Sequence, residues 1–547
     1  MRLSSFNLKF PNMKQLMLPA LLLALCLPAT AQEGVANLSK QAQKGFMEEV
    51  NQADGQYRIT YKMAVSKKKD DVRFETYVFD KDMKFLKSEP STAPKITNED
   101  RPDKTVSYLS AKVGGCTSFD ILSMKLRFTR STVRLSWNYK KQRYEVAEVL
   151  SSETFKAQNE LGNLVGYAAF NAPEDESLFV LAGADSKEEK RTREYFILSA
   201  RAGADIAQKK VDVSGRQSLV YAGQLPGNDV VLVFAPDHGA PDVSAYTYLR
   251  YTAAGELKNK AQFKSPWPNM LIMDASEKDG SVFFCGVSAK QAEAYDRVFE
   301  EYAGAISNPC FDDAENRQDQ KWLKRANGKM ERFHLLKFTG NNLDFASTDP
   351  ISSFKEKMKT PAGERKATAY SGKKFTVQDF TVTPEGEYLV SGQLTGWMLF
   401  EKTRVKTYDD LVCLHFNRDG SLKAQYAANR VSTDKKSRMF PAFQFFAPSA
   451  NGQSLHWVIL EAKGFKGYES FLDAYQDRPS YYSRYYPRVA RLEPAASRLG
   501  GFTLLGSKDY FISRRFLPEV NPSDNSIVFI GGDKSFKKLW VAKYMLN

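Results

Sequence analysis

Short apolar runs recur along the chain, each preceded by a turn signal. The first is Pro173-Glu174-Asp175-Glu176-Ser177-Leu178-Phe179-Val180, and the second is Pro226-Gly227-Asn228-Asp229-Val230-Val231-Leu232-Val233. Asp279-Gly280-Ser281-Val282-Phe283-Phe284 and Pro384-Glu385-Gly386-Glu387-Tyr388-Leu389-Val390 continue the series. Asn451-Gly452-Gln453-Ser454-Leu455-His456-Trp457-Val458 and Pro522-Ser523-Asp524-Asn525-Ser526-Ile527-Val528-Phe529 complete it. Proline presets φ for a turn, and Asp, Asn or Gly tolerates its tight geometry. The run that follows predicts a buried strand with a hairpin behind it.

A second pattern lies downstream of each copy: an alternating strand, a polar turn and a further strand. Leu414-His415-Phe416-Asn417-Arg418-Asp419-Gly420-Ser421-Leu422-Lys423 carries it most clearly, and 249–258 and 336–343 repeat it. Together the two patterns predict units of four short strands. Their markers Phe79, Asn138, Leu198, Tyr251, Phe338, Phe416, Leu492 and Tyr544 recur every roughly 50 to 90 residues, the signature of repeated sheets that stack on one another. The expected fold class is all-β, a β-propeller. Seven blades are favoured and eight are the alternative. In the seven-blade reading the last unit lacks a strand, and Gln56–Val65 supplies it as a clasp between the termini. Helical periodicity is confined to Leu38–Val50 and Ala289–Tyr302. The expected division is a signal peptide at 1–31, an N-terminal helical segment at 32–56 and the propeller at 57–547.

The Pro-Glu/Asp-Gly-x-x-Leu-x-Val pattern resembles the WD40-like repeats of TolB-type propellers. The resemblance starts at Ala172 and spans about 370 residues. It implies a propeller blade and says almost nothing of function. A sandwich array is the competing architecture.

Loop length is the most informative functional signal, because long connections on a rigid scaffold are where binding concentrates. The connection between second and third strands lengthens in three consecutive units, at 288–330, 393–409 and 463–487. In consecutive blades these insertions emerge side by side on one face. Trp397 and Phe400 fall in the second. Tyr468, Tyr475, Tyr481, Tyr482, Tyr485 and Tyr486 crowd the third, with Arg484 among them. Exposed aromatics and arginine carry much of the energy at interfaces, and aromatic faces suit sugar rings. These nine residues form the expected ligand-binding wall. The bland alternative is that they form the insertions' own small core. The first insertion holds Asp312, Asp313, Glu315 and Asp319, but Arg317 stands where a calcium loop needs a ligand. No metal and no cofactor is expected.

Composition adds location. Arg2, Lys9 and Lys14 precede an apolar Leu16–Leu27, and Ala29-Thr30-Ala31 makes a small-x-small cleavage site before Gln32. That is the layout of a secretory leader, so the chain is expected to be exported to the periplasm, the envelope or the medium. No transmembrane segment is expected after cleavage. Cys26 follows Leu25, which is wrong for a lipobox. Losing the leader takes the formal charge from +14 to +11. The basic residues are scattered and not striped, so nucleic acid is not an expected partner. Four cysteines remain: Cys116, Cys285, Cys310 and Cys413. If a bridge forms, Cys285–Cys310 closes the shortest loop.

Catalytic signatures are missing. There is no His-Glu-x-x-His, Cys-x-x-Cys, Gly-x-Ser-x-Gly or phosphate-cradling loop. Of four histidines, only His238 falls in a loop. Carboxylates near strand ends remain as acid–base candidates: Asp237, Asp379, Asp409 and Asp410. The expected function is binding of a protein, peptide or glycan by an exported propeller. The alternatives are a glycan-active hydrolase or lyase with an axial carboxylate pair, and a non-catalytic scaffold of an envelope complex.

Overall fold

The computed structural model describes residues 31–547 apart from 64–69, 98, 114–125, 139–142, 157, 160–161, 164, 173–176, 186–192, 202–205, 214–216, 237–241, 243, 268–269, 290–329, 401–402, 433–434, 436, 466–482, 514–517 and 522. The described residues are nearly all strand, with a few 3-10 turns and no α-helix. None of their helices is long and apolar enough to cross a membrane.

Strands pair with their neighbours in sequence, so the chain runs as a string of antiparallel meanders. Unit one is the sheet Phe46–Ala53, Gln56–Lys62, Asp71–Phe79 and Phe85–Pro94. Unit two is three-stranded: Lys104–Val113, Leu126–Asn138 and Arg143–Lys156. Units three, four and five are four-stranded and open with Val165–Ala172, Gln217–Gln224 and Met270–Lys278. Unit six opens with Phe375–Val382 and gains a short parallel fifth strand, Met358–Lys359. Units seven and eight are joined in one ten-stranded sheet, because Tyr510–Ser513 pairs with both Ser483–Glu493 and Ser526–Asp533.

The turn chemistry explains the hairpins. Asp279 and Gly280 both have positive φ, 50° and 73°, and join Lys278 to its partner Ser281 in the two-residue turn whose twist suits a hairpin. At Pro226 the loop is longer: the Asn228 N–H donates to the Leu225 carbonyl at 2.9 Å, and Asn228 takes φ 66°. Second strands such as Val230–Pro236 and Ser281–Ser288 are buried along their whole length. Each sheet therefore needs a neighbour on either face. Phe179, Ile197, Leu232 and Phe234 join units three and four. One continuous core joins four, five and six. Cys413, Trp457 and Ile459 join six and seven, and Val458, Phe529 and Trp540 join seven and eight. Tyr57, Ile59, Tyr77 and Phe79 of unit one pack on Ile530, Leu539 and Val541 of unit eight.

The N-terminal segment departs from expectation. Helical periodicity at 38–50 gives one 3-10 turn, Ala42–Lys44, between strands Gln32–Asn37 and Phe46–Ala53. Asp54 and Gly55, at φ 51° and 69°, form a hairpin turn that pairs Ala53 with Gln56. A period read over a dozen residues loses to that pairing. The terminal clasp exists, but Gln32–Asn37 supplies it by pairing with Lys538–Lys543. Gln56–Lys62 instead belongs to unit one. The Glu33 carboxylate accepts from the Gly506 N–H at 2.9 Å and from Trp540 Nε1 at 3.1 Å. Cys285 and Cys413 are buried free thiols, so Cys285 makes no bridge to Cys310. Cys116, Cys310, the first insertion with its carboxylates, and the second helical pattern beyond Ala289 lie outside the described residues.

A Cβ on Gly34 would sit 1.7 Å from the Met83 carbonyl oxygen, which is backbone and cannot swing away. Gly34→Ala should therefore unseat the clasp and cost about 1–3 kcal/mol. Thermal unfolding checks this, and an unchanged midpoint would mean the strand is not docked there.

Candidate functional site

The first strands of units one, three, four, five and six each carry a register shift. The residues just past the shift are Glu49, Ala168, Tyr221, Asp274 and Asp379. A bulge adds one residue to one strand and re-aims the side chain that follows. The first strands of units four, five and six lie side by side, and that of unit seven lies beside unit six. Tyr221, Asp274 and Asp379 thus occupy equivalent places on three adjacent strands.

Their polar contacts are few. Tyr221 Oη donates to Asp274 Oδ1 at 3.3 Å, and the Ala275 N–H donates to the same oxygen at 2.9 Å. Thr381 Oγ1 donates to Asp379 Oδ2 at 2.8 Å. Both residues are half-buried. Desolvation pushes Asp274 up to about 6. The Ala275 N–H and Tyr221 oppose the rise, and the charge of Asp379 adds to it. Desolvation also raises Asp379 to about 6 against the Thr381 hydrogen bond. Burial, and then the charge of Asp274, push Tyr221 and the Cys285 thiol well up. Next to the pair runs a chain of amides. Gln378 Nε2 donates to Gln393 Oε1 at 3.1 Å, Gln444 reaches Gln378, and Trp457 Nε1 donates to Gln444 Oε1 at 3.2 Å.

Asp379 was among the four carboxylates singled out from the sequence, whereas Asp274 was missed. The signal was present, since Asp274 stands five residues before Asp279 and Asp379 five before Pro384. Asp409 is ion-paired with Arg438. Asp410 accepts from the Thr368 N–H at 2.8 Å and from Asn429 Nδ2 at 3.2 Å. Those contacts are structural. Asp237 and His238 lie outside the described residues.

The second insertion is a two-stranded ribbon. Tyr388–Phe400 and Thr403–Phe416 pair along their length, but the flanking strands reach only Leu394 and Leu411. Thr395–Phe400 and Thr403–Tyr408 therefore project beyond the sheet. Trp397 is half-buried opposite Lys406, and Leu399 is 72% exposed. Phe400 pairs with Thr403 at the ribbon's tip. A second ribbon begins where Glu461–Phe465 pairs with Ser483–Tyr486.

The expected wall survives only in part. Tyr468, Tyr475, Tyr481 and Tyr482 lie outside the described residues. Arg484, Tyr485 and Tyr486 are buried, not exposed. The start of Ser483–Glu493 has strands on both edges and protein over both faces. Tyr485 packs edge-on against Phe443 at 5.4 Å, and Tyr486 against Phe511 at 5.3 Å. Arg484 donates to the Lys534 carbonyl at 2.7 Å. Below the ribbons, fully buried Glu461 meets Arg488 Nη2 at 2.7 Å and accepts from the Val431 N–H at 2.8 Å. Arg430 lies 3.6 Å from the same carboxylate and donates to the Tyr408 carbonyl at 2.8 Å. This network ties the base of one ribbon to the base of the next.

No protein-family pattern matches the chain, and no curated protein is similar to it. Among solved structures it is loosely similar to a lignostilbene dioxygenase of Pseudomonas brassicacearum, at TM-score 0.32 and 8% identity over 81% of this chain and 88% of that one. An α-L-arabinanase of Penicillium chrysogenum complexed with arabinobiose gives 0.26 and 10% over 69% and 92%. The β-propeller domain of the trilobed protease of Pyrococcus furiosus gives 0.23 and 6% over 81% and 98%. Likenesses this distant carry no argument about function.

Two expectations follow from the charges. Asp274 and Asp379 titrate above the unfolded value of about 3.9, so the folded state holds extra protons between about pH 4 and pH 6 and stability falls as pH rises through that window. Asp274→Asn and Asp379→Asn should each remove that loss, gaining on the order of 1–2 kcal/mol near pH 8 after allowance for partial exposure. Denaturant unfolding at both ends of the window measures it, and identical pH profiles for wild type and variants would refute the desolvation. Glu461→Ala strips the shared carboxylate from buried Arg430 and Arg488, leaving Glu364 at 3.4 Å as the acid beside Arg488, and should cost about 3–5 kcal/mol; a loss below about 1 kcal/mol in the same experiment would show the network to be dispensable.

Proposed function

We propose that the chain is an exported β-propeller of eight blades that serves as a binding module of the cell envelope. Its ligand, a protein, peptide or glycan, engages the end that bears the ribbons. Export rests on the leader-like residues 1–31. Eight blades, and not seven, are favoured by the four-stranded unit one together with the clasp on unit eight. The packing of unit one on unit eight supports a closed ring.

One observation carries the binding reading. Units five, six and seven lengthen the same connection, between second and third strands, and in unit six it stands clear of its sheet with Leu399 exposed. A projecting ribbon with an exposed leucine offers apolar surface to a partner. Trp397→Ala combined with Tyr482→Ala should abolish co-purification of whatever partner wild type recovers from envelope extracts. Unchanged recovery would sink this assignment.

The glycan-active reading has one observation in its favour, the Asp274–Asp379 pair on adjacent first strands. A pair of carboxyls is what acid–base cleavage of a glycosidic bond requires.

A further inference from the structure

Among the described residues, Asp274 and Asp379 have no cation beside them to offset their burial. Neither makes an ion pair with lysine or arginine among the described residues, although acids nearby do. Asp229 and Glu277 share Arg250, and Glu387 binds Lys423. Taking a carboxylate from water without a partner is unfavourable unless the group takes a proton. Among the described residues, the groups beside the pair are neutral: Tyr221, Cys285, Ser391 and Cys413 on neighbouring strands, and Thr381 on the strand of Asp379. Ser391 adds a separate observation. It stands directly across from Asp379, on the same side of the sheet, and is fully buried. Among the described residues its hydroxyl has no hydrogen-bond partner.

We propose that Asp274 and Asp379, with Tyr221 and Ser391, form a recess for an organic cation, the guanidinium or ammonium of an arginine or lysine side chain on a peptide ligand. The cation supplies the missing counter-charge, and its N–H groups donate to both carboxylates. Donors on a planar or tripod head match two carboxylates without further acids. A metal ion asks for more: no group of three or more His, Cys, Asp or Glu among the described residues is placed to hold one. The chain's net charge of +14 repels cations in general, so a cationic peptide gains nothing from the overall field. The recess is separate from the ribbon, and the two assignments stand or fall independently.

The test titrates the full mature chain with acetyl-Gly-Arg-Gly-amide, with its Gln counterpart as the neutral control and with calcium alone. Binding is followed by calorimetry and by NMR. The Arg peptide should saturate a single site, and the Gln peptide should not. Affinity should rise about tenfold or more from pH 5 to pH 8 as both carboxyls ionise, with protons released on binding near pH 6. Asp274→Asn with Asp379→Asn should abolish it, and unfolding measurements on the same sample verify that the variant is folded. Equal binding of Arg and Gln peptides, or no binding of either, overturns the proposal, as does binding that persists in the double variant. Calcium saturation with an inert Arg peptide would make the recess a metal site instead. Asp379-dependent release of reducing ends from an oligosaccharide panel would make it an acid–base pair.

Discussion

The second strand of each sheet has no solvent side. Val230–Pro236 and Ser281–Ser288 are buried at every residue, so the sheet that holds them is stable only between two others. A chain of such sheets can end in two ways. It can cap its outer faces with polar residues, or it can bring its first and last sheets together. Here Tyr57 and Tyr77 of unit one pack on Leu539 and Val541 of unit eight. The strand Gln32–Asn37 crosses over to complete unit eight. The first and last units thus cover each other's apolar faces.

The stacking of units four, five and six sets their first strands side by side, and two carboxyls raised by burial lie there. A bulge at the same place in successive units turns Tyr221, Asp274 and Asp379 toward one another. Two acids raised to about 6 oppose stability at neutral pH. Their hydrogen bonds to Tyr221, the Ala275 N–H and Thr381 offset only part of that cost. Groups that cost stability without serving packing are where function concentrates.

The ribbon end follows the opposite logic. Glu461 and Arg488 are as deeply buried as any core residue, yet they are paired and hydrogen-bonded, and they anchor the projecting hairpins. Arg430 closes the arrangement on the carbonyls of Tyr408, Phe440 and Ser437. The base of the ribbon is fixed, and its far end carries the exposed Leu399.

The sequence by itself determined the strands, the hairpin turns and the repeat. These depend on local chemistry: Asp279-Gly280 adopts its turn wherever it stands, and an apolar run of eight residues becomes a buried strand beside it. It also marked the three insertions, since loop length is written directly in the spacing. Only the tertiary structure decided what depends on partners distant in the chain. Residues 38–50 read as a helix by their period, and the pairing of Phe46–Ala53 with Gln56–Lys62 makes a strand of them instead. Tyr485 and Tyr486 read as an exposed wall until Tyr510–Ser513 closes over their strand. Asp274 and Asp379 stand 105 residues apart in sequence, and no local pattern brings them together. Their meeting is a property of which strands become neighbours, which packing between whole sheets decides.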